Sequence, residues 1–178
     1  MPELVDPDPR FHRSFVAAAA EEPGSAYLFA GDEATLADPT VFAGYVRQLL
    51  DDRRDDAPRP ETHVPGTTLW WTDGDDYLGR VAIRHRLTPW LREFGGHIGY
   101  WIRPSARRQG HAGAAFRAGL PVAYELGIDP VLVTCDEDNV GSRRIIEAAG
   151  GRFERHNGIK RLYWVRTSTV PAGRLDRS

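Results

Sequence analysis

The stretch HIGYWIRPSARRQGHAGAAFRA, residues 97–118, decides the fold. Its apolar residues 98–102 predict a short strand, its basic residues 103–109 a turn, and the residues from Gly110 onward the start of a helix. Backbone N–H groups in such a turn, together with the positive end of the helix dipole, form a site for an anion. Gly110 and Gly113 let the backbone approach a ligand, since neither carries a Cβ. The turn also holds three arginines that favour a phosphate or diphosphate: Arg103, Arg107 and Arg108.

Length and composition indicate one globular domain, for which we expect residues 1–166, followed by a frayed tail at 167–178. The chain has 178 residues, 41% of them hydrophobic, and a formal net charge of −2. That charge gives no reason to expect nucleic acid as a partner. The single cysteine, Cys135, excludes an internal disulfide and a multi-cysteine metal site. With neither a long apolar run nor a cationic leader, we expect a cytoplasmic protein with no membrane partner.

The order of the predicted elements favours an α+β fold, with a mixed, mainly antiparallel sheet flanked by helices. The strand at 130–134 is predicted to be buried and parallel to the strand before the helix, and Asn157-Gly158 is predicted to form a type I′ turn. The predicted strands are 3–5, 67–72, 77–85, 97–102, 130–134, 152–155 and 161–166, and the predicted helices are 10–22, 39–52, 111–126 and 139–149.

Two segments carry a family resemblance. The residues RRQGHA at 107–112 fit the signature Q/R-x-x-G-x-G/A of the GNAT superfamily of acyl-CoA-dependent N-acetyltransferases. The surrounding HIGYWIRPSARRQGHA is most similar to the branch that acetylates the N-termini of ribosomal proteins. Asn139-x-x-Ser142, followed by GGRF at 150–153, is similar to the N-x-x-A…G-F segment of the family. The resemblance in element order extends from about residue 2 to residue 166.

The resemblance implies acetyl-CoA as co-substrate, no metal, and a strand–helix–strand core that binds the CoA. Backbone amides of about Gln109 to Gly113 would hold the diphosphate, and the end of the strand at 100–102 would pair with the pantetheine amides. Asn139 is equally suited to be a helix N-cap, and any single arginine to be a surface charge. The residues implied in CoA binding are Tyr100, Trp101, Ile102, Arg103, Arg107, Arg108, Gln109, Gly110, His111, Ala112, Gly113, Asn139, Ser142 and Arg143.

The catalytic groups are less clearly marked in the sequence. His97 stands where similar sequences carry a glutamate, so it is the first candidate for a general base, with His85 and Glu93 as alternatives. A histidine at the start of a strand is also commonly a hydrogen-bonded structural residue.

No general acid can be assigned from the sequence. Many family members carry a tyrosine seven residues after the asparagine, and this chain has Ile146 there. Either solvent protonates the leaving thiolate, or another side chain does so; the weak candidates are Cys135, Tyr163 and His111. For Cys135 itself, a buried core residue is the preferred interpretation over a nucleophile.

The resulting hypothesis is an N-acetyltransferase in which a primary amine attacks acetyl-CoA directly within a ternary complex. The acceptor is a small-molecule or peptide amine that enters between the first helices and the loop at 88–93, and a homodimer is left open. Trp70, Trp71 and Trp90 either line the acceptor groove or belong to the core. A non-catalytic acyl-CoA-binding sensor and an interaction scaffold with the same fold are the alternatives.

Overall fold

The computed structural model describes residues 1–25 and 33–168 and has the predicted α+β fold. Four short turns of other helix types lie at Pro9–Phe11, Glu33–Ala37, Leu91–Gly95 and Pro104–Ala106. The strands are β1 Glu3–Val5, β2 Gly66–Asp73, β3 Asp76–Arg84, β4 Ile98–Ile102, β5 Val131–Asp136, β6 Arg152–His156 and β7 Lys160–Val165. The helices are α1 His12–Glu21, α2 Pro39–Asp51, α3 His111–Glu125 and α4 Val140–Ala148.

The strands form two sheets. β1, β2, β3 and β4 make an antiparallel sheet in that order, and β5, β7 and β6 make a second antiparallel sheet. The sequence predicts a buried β5 that runs parallel to β4; in the structure β5 pairs with β7 and belongs to the second sheet. β5 is nevertheless buried, as predicted. The fold therefore has an opening between β4 and β5, one strand from each sheet.

One residue joins the two sheets at the start of β4. The His97 N–H donates to the Leu132 carbonyl at 2.7 Å, and the Leu132 N–H donates to His97 Nδ1 at 2.8 Å. In a continued ladder a backbone carbonyl would accept from the Leu132 N–H; here the His97 imidazole accepts from it. Gly96 brings the chain to this joint at φ +62°, where a Cβ would lie 2.5 Å from the Leu132 oxygen.

Two apolar clusters pack on opposite faces of the first sheet. Alternation along β2 sends Trp70 into the aromatic cluster under α1 and α2, and Trp71 into the cluster under α3. Of the three tryptophans considered above, these two are core residues, whereas Trp90 is 63% exposed. Asp38, followed by Pro39, is the N-cap of α2 and accepts from the N–H groups of Thr40 and Val41. Cys135 is buried as expected.

Two local predictions need correction. Asn157-Gly158 does not form a type I′ turn, because only Gly158 has a positive φ and the Asn157 side chain accepts from the N–H of Lys160 at 2.8 Å. Thr167, the first residue of the predicted frayed tail, is buried, and its hydroxyl donates to the Ile128 carbonyl at 2.7 Å. Residues 169–178 lie outside the described residues, and their fraying stays a prediction.

The joint at Gly96 can be tested against Gly127, a second glycine with a positive φ. Gly127 has φ +77° and no atom within 4 Å of the position that a Cβ would take, so Gly127→Ala carries only the left-handed backbone cost of about 1 kcal/mol. We expect Gly96→Ala to lower the free energy of unfolding by about 3 kcal/mol or more, since the Leu132 carbonyl must also move. Urea unfolding of both variants measures the difference, and equal losses would contradict this account.

Candidate active site

The turn between β4 and α3 presents a run of unused backbone donors. After Pro104–Ala106 the chain passes through two left-handed residues, Arg108 at φ +62° and Gly110 at φ +86°, and then enters the 15-residue α3. Within the described parts of the chain, the N–H groups of residues 108–113 have no hydrogen-bond acceptor. Left-handed residues in such a turn and the positive end of a helix both favour an anion at this place.

The arginines of the turn do not all point at this anion site. Arg103 is paired with Glu21 and Arg107 with Glu22, both at the end of α1, whereas Arg108 is exposed. Gln109 donates from its side-chain amide to the Ser105 carbonyl at 3.1 Å. The positive character of the turn therefore comes mainly from backbone amides, supplemented by the exposed Arg108.

The edge of β4 that faces away from β3 borders the cleft between the two sheets. The bond from the Arg84 N–H to the His97 carbonyl, at 2.7 Å, fixes which β4 residues face β3. By alternation, Tyr100 and Ile102 direct their N–H groups to the other side. Among the described residues no strand pairs with that edge. It is thus available to an extended ligand leading away from the turn.

Side chains from β4 and α4 meet across this cleft. The Tyr100 Oη lies 2.6 Å from the Ser142 Oγ, and burial raises the pKa of Tyr100 to about 12. Asn139 is the N-cap of α4: its Oδ1 accepts from the Ser142 N–H at 2.9 Å, and its carbonyl accepts from the Arg143 N–H at 3.0 Å. The structure therefore brings Tyr100, Asn139, Ser142 and Arg143 to one end of the cleft, close to where α3 packs on α4.

His97 is held in a way that leaves it no free lone pair. Because Nδ1 accepts from the Leu132 N–H, the neutral ring carries its proton on Nε2. Burial, and then the nearby Arg92 and Arg84, lower the pKa of His97 to about 4. This geometry favours a structural role for His97, one of the two roles that the sequence left open. Its role as a general base stays a prediction that the geometry does not support.

The two alternative bases are also engaged. The His85 Nε2 lies 2.9 Å from the Thr67 hydroxyl, and His85 borders a cleft of about 580 Å³ at the C-terminal end of α3, away from the anion site. Burial lowers the pKa of His85. Glu93 accepts from Arg155 at 2.5 Å, and the hydrogen bonds from Arg155 and Asn157 lower its pKa. The structure does not bring His85 and Glu93 together with the anion site.

The weak candidates for an acid have other partners. Ile146, at the position of the family tyrosine, is fully buried. Tyr163 donates to Glu147 at 3.0 Å, and His111 Nδ1 accepts from the Trp71 indole at 3.3 Å. Burial raises the pKa of Cys135.

Sequence reasoning missed Glu21 and Glu22, which contact the turn from more than 80 positions away along the chain. Two adjacent acids at the end of a helix are a common surface pattern, so nothing local marked them. In the described part of the structure, no group of three or more histidine, cysteine or acidic side chains is arranged to hold a metal. None of the helices described is both long enough and apolar enough to cross a bilayer.

The family model for the acetyltransferase (GNAT) domain matches residues 36–152, about two thirds of the chain. The chain belongs to the GNAT acetyltransferase family. The acyltransferase class follows from this membership, and the family resemblance predicted from residues 107–112 is confirmed. No curated protein sequence matches this GNAT chain.

Solved structures with the same fold include ribosomal-protein acetyltransferases. Mycobacterium smegmatis RimJ in complex with CoA-disulfide superposes with a TM-score of 0.68 at 17% identity, covering 96% of this chain and 84% of RimJ. RimL, the ribosomal L7/L12 alpha-N-protein acetyltransferase, in complex with coenzyme A, gives 0.64 at 14% identity and covers 93% of both chains. The microcin C7 self-immunity acetyltransferase MccE, in complex with acetyl-CoA and AMP, gives 0.62 at 15% identity, covering 93% of this chain and 92% of MccE. These likenesses show the GNAT fold.

The role of His97 in this GNAT domain predicts a pH dependence of stability. Its folded-state pKa of about 4 lies below the unfolded value of about 6.5, so the unfolded chain binds the proton first as the pH falls. The stability that neutral His97 provides is present above pH 6.5 and is lost as the pH falls towards 4. In His97→Asn, Oδ1 replaces Nδ1 as the acceptor but does not titrate. We therefore expect the free energy of unfolding to fall between pH 7 and pH 4 by about 2 to 3 kcal/mol less than in the wild type.

Urea unfolding of both proteins at several pH values between 7 and 4 measures this difference. Identical slopes for the wild type and His97→Asn would contradict the assignment of His97 as a buried neutral acceptor.

Proposed function

We propose that this GNAT domain transfers an acetyl group from acetyl-CoA to a primary amine by direct attack in a ternary complex. The observation that carries the proposal is the run of N–H groups at 108–113, which lack acceptors in the described structure, beside a β4 edge that lacks a strand partner. A diphosphate fits the first feature and an extended chain of amides the second. A CoA thioester has both parts in one molecule.

The amides of 108–113 hold the diphosphate at the N-terminus of α3. Backbone donors suit this task because they are fixed by the turn and need no side-chain ordering when the ligand binds. Arg108 lies beside them as an exposed cation. The family membership and the CoA named for RimJ and RimL support this assignment.

The free edge of β4 positions the pantetheine arm and the thioester. The N–H groups of Tyr100 and Ile102 face the cleft, and either can stabilise the oxyanion that forms when the amine attacks the carbonyl carbon. As the C–S bond breaks, the electron pair goes to sulfur. The attacking amine must be neutral. Since His97 has no free lone pair to accept the proton that the amine loses, that proton passes to water.

The Tyr100 hydroxyl is the group we assign to the leaving sulfur. It stands in the cleft beside Ser142, and its pKa of about 12 keeps it protonated. Because that pKa lies above that of an ordinary thiol, near 8.5, Tyr100 donates a hydrogen bond to the thiolate while water supplies the proton. In this assignment Tyr100 takes the role of the tyrosine that many family members carry at the position of Ile146.

The acceptor class is a primary amine on a peptide or a small molecule. One structural neighbour, RimL, is the ribosomal L7/L12 alpha-N-protein acetyltransferase, which favours a protein N-terminus as the first acceptor to test. The alternative function is a CoA-binding sensor without turnover, which the isoleucine at 146 favours.

Release of free thiol from acetyl-CoA, measured across peptide N-termini, polyamines, aminoglycosides and amino acids, tests the transferase. Turnover on at least one amine is the expected result. Tight CoA binding by calorimetry without turnover would favour the sensor, and absence of both would overturn the proposal.

A matched pair of variants at Gly110 tests the diphosphate site. Gly110 has φ +86°, and no atom lies within 4 Å of the place a Cβ would occupy. Asparagine and aspartate tolerate this conformation similarly, but only Gly110→Asp places a negative charge against the diphosphate. We expect Gly110→Asp to bind CoA about tenfold or more weakly than Gly110→Asn. Calorimetry gives both constants, and equal affinities would place the diphosphate elsewhere.

Tyr100→Phe tests the proposed thiolate donor. We expect kcat to fall by about tenfold, with the KM for acetyl-CoA changed by less than about threefold, because the hydrogen bond forms mainly as charge develops on sulfur. Tyr124→Phe, at an exposed tyrosine on α3, is the control. An unchanged kcat would show that water alone serves the leaving group.

A further inference from the structure

The C-terminal end of α1 holds the β4–α3 turn through two carboxylates. Glu21 accepts from both Nε and Nη2 of Arg103, the former at 2.8 Å. It also accepts from the Ser105 hydroxyl at 2.9 Å and from the Ser105 N–H at 2.8 Å. One carboxylate thus fixes the residue before the short helix Pro104–Ala106 and a residue within it. Arg103 and Glu21 are largely buried, with side chains 14% and 23% exposed.

Glu22 closes a ring of contacts on the other side of the turn. Its Oε2 accepts from the Trp101 indole at 2.6 Å and from Arg107 Nη2 at 2.7 Å. Arg107 Nε donates to the Ile102 carbonyl at 2.8 Å. The end of β4, the turn and α1 are therefore linked through one carboxylate and one guanidinium. Hydrogen bonds from Arg107 and Trp101 lower the pKa of Glu22, so the carboxylate is ionised at neutral pH.

These contacts change the role of the turn's arginines. Arg107 directs its Nε to β4 and its Nη2 to Glu22, both groups that shape the turn. Left without Arg107, the Glu22 carboxylate would be an uncompensated negative charge beside a site built for an anion. Arg107 therefore serves the site by neutralising and aligning its surroundings.

We infer that Glu22 is a positioning residue for acetyl-CoA: through Arg107 and Trp101 it fixes the end of β4 and the turn, so that the amides of 108–113 converge on the diphosphate. The inference rests on the proposed function. It assigns Arg107 to the same unit, as a group that acts through Glu22 and the Ile102 carbonyl rather than by binding the phosphate directly.

The two roles of Arg107 predict opposite effects of Glu22→Gln. If Arg107 bound the phosphate directly, removal of the carboxylate charge would release the guanidinium to the ligand, and CoA would bind as tightly as before or more tightly. If Glu22 positions the turn, the variant loses a charge-assisted bond, and we expect the Kd for CoA to rise by about tenfold.

The experiment measures CoA binding by calorimetry for the wild type, Glu22→Gln, Arg107→Gln and the double variant. We expect both single variants to weaken binding by about tenfold, and the double variant by about the same factor rather than a hundredfold, because the two side chains act as one unit. Pantetheine lacks the diphosphate and contacts only the end of β4, so we expect its binding to weaken by a smaller factor than that of CoA. In turnover, the KM for acetyl-CoA rises, while kcat and the KM for the amine stay within about twofold.

Asp56→Asn is the matched control, since Asp56 pairs with Arg54 in the exposed loop after α2. Thermal unfolding checks each variant. Trp101→Phe, which removes the indole N–H that donates to Glu22, gives a second test should Glu22→Gln not fold: we expect weaker CoA binding, and unchanged binding would count against the inference. Unchanged or tighter CoA binding in Glu22→Gln, with weaker binding in Arg107→Gln, would overturn the inference and leave the proposed function intact. Failure of the wild type to bind CoA would overturn both.

Discussion

The pair of hydrogen bonds between His97 and Leu132 is the constraint that holds the two sheets together at the start of β4. In a continued ladder, backbone N–H groups of each strand would donate to backbone carbonyls of the other. Here a side-chain nitrogen takes the carbonyl's place, and β4 and β5 go on in different sheets. The cleft, the free edge of β4 and the approach of Tyr100 to Ser142 all follow from that divergence.

The anion site depends on backbone geometry more than on cationic side chains. Two left-handed residues and the first turn of α3 supply the donors, and the basic side chains that surround them are largely used to hold the turn in shape. A site of this kind keeps its donors ordered before the ligand arrives, so less free energy is lost on binding. Such a site is compatible with the formal net charge of −2 of the whole protein, because an anion there is attracted mainly by the electrostatic field of the nearby amides.

Local signals in the sequence are sufficient to predict most of the fold. The periodicity of 111–126, the proline after Asp38 and the glycine-bearing turn each report on residues within a few positions, and the structure has these elements where they are predicted. The separation of β4 from β5 has no such signal, because it depends on the pairing of β5 with β7, a strand about 30 positions later along the chain. The same limit applies to the site: the motif predicts the amides, whereas the carboxylates that hold the turn are visible only in the structure. The Asn157 turn differs from its prediction for another reason, since its side chain competes with the backbone for the same donors.

The contacts of α1 with the turn have a consequence for how the protein can be divided. They span 84 and 85 positions, so these contacts with the turn form only once the first helix has docked on residues that are synthesised much later. The segment that matches the family model begins at residue 36, after both carboxylates. A fragment limited to the matched segment would therefore keep the turn but lack both carboxylates that hold it.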